Sequence, residues 1–94
     1  MAINVLLVDD SAVVRTMIAR AIEADPDIRV TGVAGDGAAA LRVMAASPPD
    51  VVVLDVEMPV MDGLAALPRI LAAKPGVAVI MASALTARHA GMSL

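Results

Sequence analysis

Two stretches of this chain are apolar at every position and then end abruptly in carboxylates. Val5-Leu6-Leu7-Val8 runs into Asp9-Asp10, and Val51-Val52-Val53-Leu54 runs into Asp55. A strand with one wet face alternates apolar and polar residues; a strand apolar throughout is covered on both faces, as in a parallel sheet between helices. Charges at the tips of such strands are costly unless something pairs with them. Three acids delivered by two strands point to a cation site and, behind it, phosphate chemistry. The plainer alternative is that they are solvated loop carboxylates or helix caps.

The segments between the runs read as helices. Ser11 is an N-cap candidate, and Val13, Val14, Met17, Ile18, Ala21 and Ile22 recur at three-four spacing, predicting a helix to about Ala24 that Asp25-Pro26-Asp27 stops. Ile28 to Ala34 reads as a second strand, weakened by Gly32, and Gly35-Asp36-Gly37 as a turn with Asp36 capping the next helix. Ala40, Leu41, Met44 and Ala45 form that helix's stripe, and Ser47-Pro48-Pro49-Asp50 breaks it. The third strand is expected from Val51 to about Val56. A third helix is expected from Leu64 to Ala73, capped by Asp62, with Pro68 tolerable only near its first turn. Val77 to Ala82 is the fourth strand, and Leu85 to Leu94 resembles the start of a helix. Strands alternating with helices give an α/β, doubly wound parallel sheet with right-handed crossovers. The flavodoxin-like order, here 2-1-3-4, sets a ligand site between the carboxyl ends of strands one and three. Those strands carry Asp9, Asp10 and Asp55.

Composition narrows the function further. Ninety-four residues make one domain. The mean hydropathy of +0.84 looks membrane-like, but the apolar segments are short, and none approaches the roughly 18 residues of a spanning helix. The start, Met1-Ala2-Ile3-Asn4, has no basic region of the signal-peptide kind, and cysteine is absent. A soluble cytoplasmic protein without membrane insertion is expected. The net charge is −3, Lys74 is the only lysine, and Phe, Tyr and Trp are absent. Phosphate neutralisation and base stacking lack their usual residues, so nucleic-acid binding is not expected.

Mg²⁺ takes octahedral oxygen ligands and keeps several waters. Asp10 and Asp55 can supply carboxylates, Asp9 can act through a water, and the Glu57 backbone carbonyl lies two residues past Asp55 where the chain leaves the strand. With charge repulsion offset by a cation, attack of Asp55 on a phosphoryl group becomes feasible.

Three segments together carry a resemblance: Val8-Asp9-Asp10-Ser11, Leu54-Asp55-Val56-Glu57-Met58-Pro59-Val60-Met61-Asp62-Gly63-Leu64, and Met81-Ala82-Ser83-Ala84-Leu85-Thr86. They resemble a response-regulator receiver domain, most closely the regulatory domain of chemotaxis protein-glutamate methylesterases. The resemblance implies that Asp55 accepts phosphate from a histidine kinase of the chemotaxis type, that Asp9 and Asp10 bind Mg²⁺, and that the Ser83 hydroxyl turns toward the phosphate. A complete receiver adds a fifth strand, ending in a lysine that pairs with the phosphoryl group, and a fifth helix. Neither matches anything in these 94 residues, so a receiver truncated before the fifth strand is expected, without the methylesterase output domain.

Three functions compete: a phosphoacceptor switch; a non-signalling truncated receiver that binds a kinase or a second copy of itself; and a haloacid-dehalogenase-like phosphatase, whose paired acids Asp55-Val56-Glu57 resemble. The absent lysine favours the second for the chain as it stands. The third family carries its pair on the first strand. A fourth strand left at the sheet edge is also expected to make the chain a homo-oligomer, by edge pairing or by a swap of Leu85–Leu94.

Overall fold

The computed structural model describes residues 2–82. Their elements are β1 (Ile3–Val8), α1 (Ala12–Ile22), β2 (Ile28–Ala34), α2 (Gly37–Ala46), β3 (Val51–Asp55), α3 (Gly63–Ala73) and β4 (Ala78–Ala82). The strands form one sheet in the order β2-β1-β3-β4, with every pairing parallel. The expected fold class and strand order are therefore those observed. Ser83, Leu85–Leu94 and any element after β4 lie outside the described residues.

The apolar runs fill both sides of the sheet. Leu6, Val8, Val52 and Leu54 face α2 and α3 and pack with Ala40, Met44, Ala66 and Ile70 into the buried core. The opposite side is less complete: Ile3, Val5, Val51, Val53 and Ile80 line an apolar groove beside Ile22 at the end of α1. Three oxygens start the helices, as expected. Ser11 Oγ accepts from the Val14 N–H at 3.2 Å, Asp36 Oδ1 from the Ala39 N–H and Asp62 Oδ1 from the Ala65 N–H, both at 2.8 Å.

Where the structure departs from expectation, local bonding explains it. β1 begins at Ile3 because the Ile3 N–H reaches the Asp27 carbonyl and the Asn4 N–H reaches Asp50 Oδ2. α1 ends at Ile22, two residues early, where the Asp25 N–H folds back onto the Ile22 carbonyl. β3 ends at Asp55 rather than Val56, and β4 starts at Ala78 because the Val77 N–H closes a turn onto Lys74. The α1 stripe is only half covered, with Val13 69% and Met17 65% exposed; Ala45 of the α2 stripe is exposed as well. Gly32 does not end β2 but sits at a bulge, where Val5 pairs with Val30 and Leu6 with Gly32. A Cβ there would lie 2.9 Å from Val43 Cγ1, so the glycine lets α2 approach the sheet. Pro68 lies inside α3, beyond its first turn. Its ring is on the exposed side of the helix, and the carbonyl of Leu64, itself an exposed residue, loses an intrahelical partner there. Among the described residues no helix is long and apolar enough to cross a membrane.

Candidate functional site

β1 and β3 are neighbours in register, with Val8 opposite Leu54. The next residues, Asp9 and Asp55, therefore leave the sheet side by side. Both are buried, at 6% and 5% exposure, whereas Asp10, one residue further along, is exposed. One carboxylate oxygen from each of the three acids can be chosen so that all lie within 4.8 Å of one another. The structure thus brings together Asp9, Asp10 and Asp55.

Each acid is held differently. The Asp9 N–H donates to the Ala34 carbonyl at 3.0 Å, anchoring the strand end to β2. Asp9 Oδ1 accepts the Ser11 N–H at 2.8 Å, and the Arg15 guanidinium donates to the Asp9 carbonyl. Asp55 Oδ1 accepts only a long bond, 3.4 Å, from the Glu57 N–H. Burial pushes the Asp55 carboxyl above its usual range, and the Asp9 and then the Asp10 charges push it the same way; the Glu57 and Val56 N–H groups oppose them. Glu57 is exposed in the loop leaving β3, with its N–H turned to Asp55.

Among the described residues the one ion pair joins Lys74 to Asp50 at 3.9 Å, and Lys74 also donates to the Pro49 carbonyl. Pro49 and Asp50 precede β3, so this lysine is at the opposite end of the strand from Asp55. Among the described residues no ion pair involves the carboxylates of Asp9, Asp10 or Asp55, and the nearby Arg15 guanidinium is spent on the Asp9 backbone carbonyl. Hard oxygen donors, close together, mutually repelling and partly desolvated, fit a Mg²⁺ ion.

Residues 5–92 match the family model described as the response regulator receiver domain. The chain belongs to the response-regulator receiver family. It is 52% identical over 91 residues to the protein-glutamate methylesterase/protein-glutamine glutaminase of group 2 operon from Rhodospirillum centenum, a match covering 97% of this chain and 23% of the relative. A methylesterase/glutaminase 2 from Caulobacter vibrioides is 53% identical, covering 97% of this chain and 26% of the relative. The receiver thus spans about a quarter of the length of these curated relatives. Among solved structures, the response regulator domain of Thermotoga maritima CheB superposes with a TM-score of 0.81 at 41% identity, covering 92% of this chain and 63% of that one. CheY in a CheX-CheY-BeF3-Mg²⁺ complex from Borrelia burgdorferi gives 0.80 at 32% identity, with coverage of 87% and 62%.

The receiver is thus linked to CheB-type methylesterases. The phosphatase alternative falls with the family assignment. Its acid pair would lie on the first strand, whereas Asp55 closes the third and Glu57 points its N–H, not a second buried carboxylate, at the site. Ser83 lies outside the described residues; it follows Ala82, which pairs with Asp55 across β3 and β4. Sequence reasoning missed Arg15, which lies outside the apolar stripe of α1 and gave no sign that it reaches back to Asp9. It also gave Gly63 and Gly37 no role beyond turns.

Proposed function

We propose that Asp55 is the phosphoacceptor of this receiver and takes a phosphoryl group from a histidine kinase of the chemotaxis type in the cytoplasm. In the transfer, one Asp55 oxygen forms a bond to phosphorus as the bond from phosphorus to the donor's histidine nitrogen breaks. The carboxylate becomes an acyl phosphate and the imidazole takes up a proton. The observation that carries this reading is the triple carboxylate cluster at the adjacent carboxyl ends of β1 and β3, with one oxygen of each acid within 4.8 Å of the others. Asp9, Asp10, Asp55 and the Glu57 carbonyl would hold Mg²⁺, which when bound supplies positive charge against the phosphoryl oxygens. Mg²⁺ and BeF3 are both present in the related CheX-CheY complex from Borrelia burgdorferi. Ser83 would donate its hydroxyl to a phosphoryl oxygen. In the longer protein the receiver would govern a methylesterase output, as the names of its relatives suggest.

Incubation with acetyl phosphate and Mg²⁺ tests this. Intact-mass measurement should show one added phosphoryl group on the wild-type chain and none on Asp55→Asn. Equal labelling of both would refute the assignment.

A second reading has its own observation. The only lysine of the 94 residues is engaged at Pro49 and Asp50, away from Asp55. We infer that these 94 residues hold phosphate poorly and act as a kinase-binding or self-associating module. A charge-assisted hydrogen bond to a phosphoryl oxygen is worth about 1.5–3 kcal/mol. A phosphoryl lifetime equal to that of a receiver with a lysine beside its phosphoacceptor would sink this reading.

A further inference from the structure

Gly63 opens α3, yet glycine is the poorest helix former after proline, about 1 kcal/mol worse than alanine. Its backbone does not require glycine either: among the described glycines only Gly76 has a positive φ. What Gly63 supplies is space. A Cβ at this position would lie 2.1 Å from the Asp55 carbonyl oxygen, 2.9 Å from the Asp55 carbonyl carbon and 3.0 Å from Val56 Cα. All three are backbone atoms of the strand end, so no side chain can rotate away. The bare Gly63 N–H donates to the Val56 carbonyl at 2.9 Å. The first turn of α3 thus rests directly on the residue that carries the acid.

The loop from Val56 to Asp62 is closed at a second point. The Gly37 N–H, at the start of α2, donates to the Met61 carbonyl at 2.9 Å. A Cβ on Gly37 would meet Ala66 Cβ at 2.7 Å, Met61 Cγ at 2.8 Å and the Met61 carbonyl oxygen at 2.9 Å. Both glycines are buried, and neither has a positive φ. Two helix starts, each made bare by glycine, therefore clamp the two ends of the loop that carries Glu57.

We propose that Gly63 is a positioning residue for Asp55, and that Gly37 supports it from the far end of the loop. Together they hold the Asp55 backbone and the Glu57 carbonyl at the spacing that the acid cluster needs. The proposal rests on the phosphoacceptor reading for its consequence, though not for its geometry. A methyl group at position 63 must lift α3 or push the end of β3, and either movement displaces the Asp55 carboxylate relative to Asp9 and Asp10.

The test compares Gly63→Ala and Gly37→Ala with Gly32→Ala in the full 94-residue chain. Gly32 is a matched control, because a Cβ there meets only the Val43 and Leu6 side chains, at 2.9 and 3.3 Å, within the core. Mg²⁺ affinity from NMR titration, read against urea stability, should fall about 10–100-fold in the two loop variants, the range seen when groups supporting metal ligands are removed. Gly32→Ala should lose stability and keep its affinity. If Gly63→Ala does not fold, Gly37→Ala carries the comparison. The ¹³C shift of the Asp55 carboxyl in metal-free samples gives a second readout, which should move in the loop variants and stay fixed in Gly32→Ala. A wild-type chain that ignores Mg²⁺ would refute the metal reading, while the carboxyl shift would still decide the positioning role. Loop variants matching the wild type in both readouts, or Gly32→Ala moving them as far, would overturn it.

Discussion

Replacing Asp55 with asparagine should stabilise the metal-free chain, although it removes the proposed phosphoacceptor. In the folded chain Asp55 is 5% exposed, beside Asp9 and Asp10, and the backbone N–H groups that oppose its burial are those of Val56 and of Glu57, the latter at a long 3.4 Å. An amide oxygen can accept from the same N–H groups, so little attraction is lost. Two unit charges 4 Å apart repel by about 1 kcal/mol in water and about 4 kcal/mol at an effective dielectric of 20. The exposed Asp10 belongs near the first limit and the buried Asp9 nearer the second. Discounted for solvent screening, removing the Asp55 charge should gain about 1–3 kcal/mol, and at about 4–8 °C per kcal/mol for a domain of this size the melting temperature should rise by at least about 4 °C. The pH dependence has a definite sign. Because folding raises the Asp55 pKa from 3.8, the folded chain holds this proton more tightly than the unfolded chain. The destabilisation is absent below pH 3.8, grows as pH rises toward the folded pKa, and is complete above it. The advantage of Asp55→Asn should follow the same course. Thermal unfolding by circular dichroism in EDTA, from acid to slightly alkaline pH, measures it, and added Mg²⁺ should narrow the gap by stabilising the wild type. A variant melting at or below the wild type in EDTA above neutral pH would show that the acids are not electrostatically strained.

Asp10→Asn should weaken Mg²⁺ binding by at least about tenfold, the scale of losing one anionic ligand from a site with few protein ligands; NMR titration checks it, and unchanged affinity would remove Asp10 from the site. Val60 has φ 65° and is 86% exposed. Left-handed backbone costs a β-branched residue about 1–2 kcal/mol, so Val60→Gly should raise urea stability by up to about that amount unless the strain is offset by unfolded-state entropy, which is smaller. Among the described residues β4 has no strand on its outer side, with Ile80 55% and Met81 37% exposed. Such an edge templates pairing, so sedimentation at micromolar concentration should show dimers, whereas a single monomeric species with protected β4 amides would refute edge exposure.

The parts legible in the sequence were those governed by local chemistry or by a periodic pattern. Uninterrupted apolar runs identified the central strands β1 and β3, most of whose residues are buried or half-buried, and Ser11, Asp36 and Asp62 announced helix starts because capping needs only a side chain three residues from its partner. The acid cluster was legible for a related reason. Once strand order is known, Val8 opposite Leu54 leaves Asp9 and Asp55 no choice but adjacency. Pro68 misled because propensity describes an isolated helix. In α3, the packing of Ala66 and Ile70 against the sheet outweighs one absent hydrogen bond on the exposed side. The α1 stripe misled in the opposite direction: periodicity reports which residues could be buried, and Val13 and Met17 stay exposed because no described element covers them.

Gly63 and Gly37 were illegible for a deeper reason. Their role depends on which backbone atoms from other elements approach them, and no pattern within their own segments records that. A turn glycine and a glycine made necessary by a neighbouring strand end look alike in one sequence. They separate only when φ and the surrounding space are both known. Here neither glycine has a positive φ, and a Cβ on Gly63 would lie 2.1 Å from the Asp55 carbonyl oxygen, which supplies the second explanation. The chemistry of the site is thus written in its acids, while the means of holding those acids in place is written in residues without side chains.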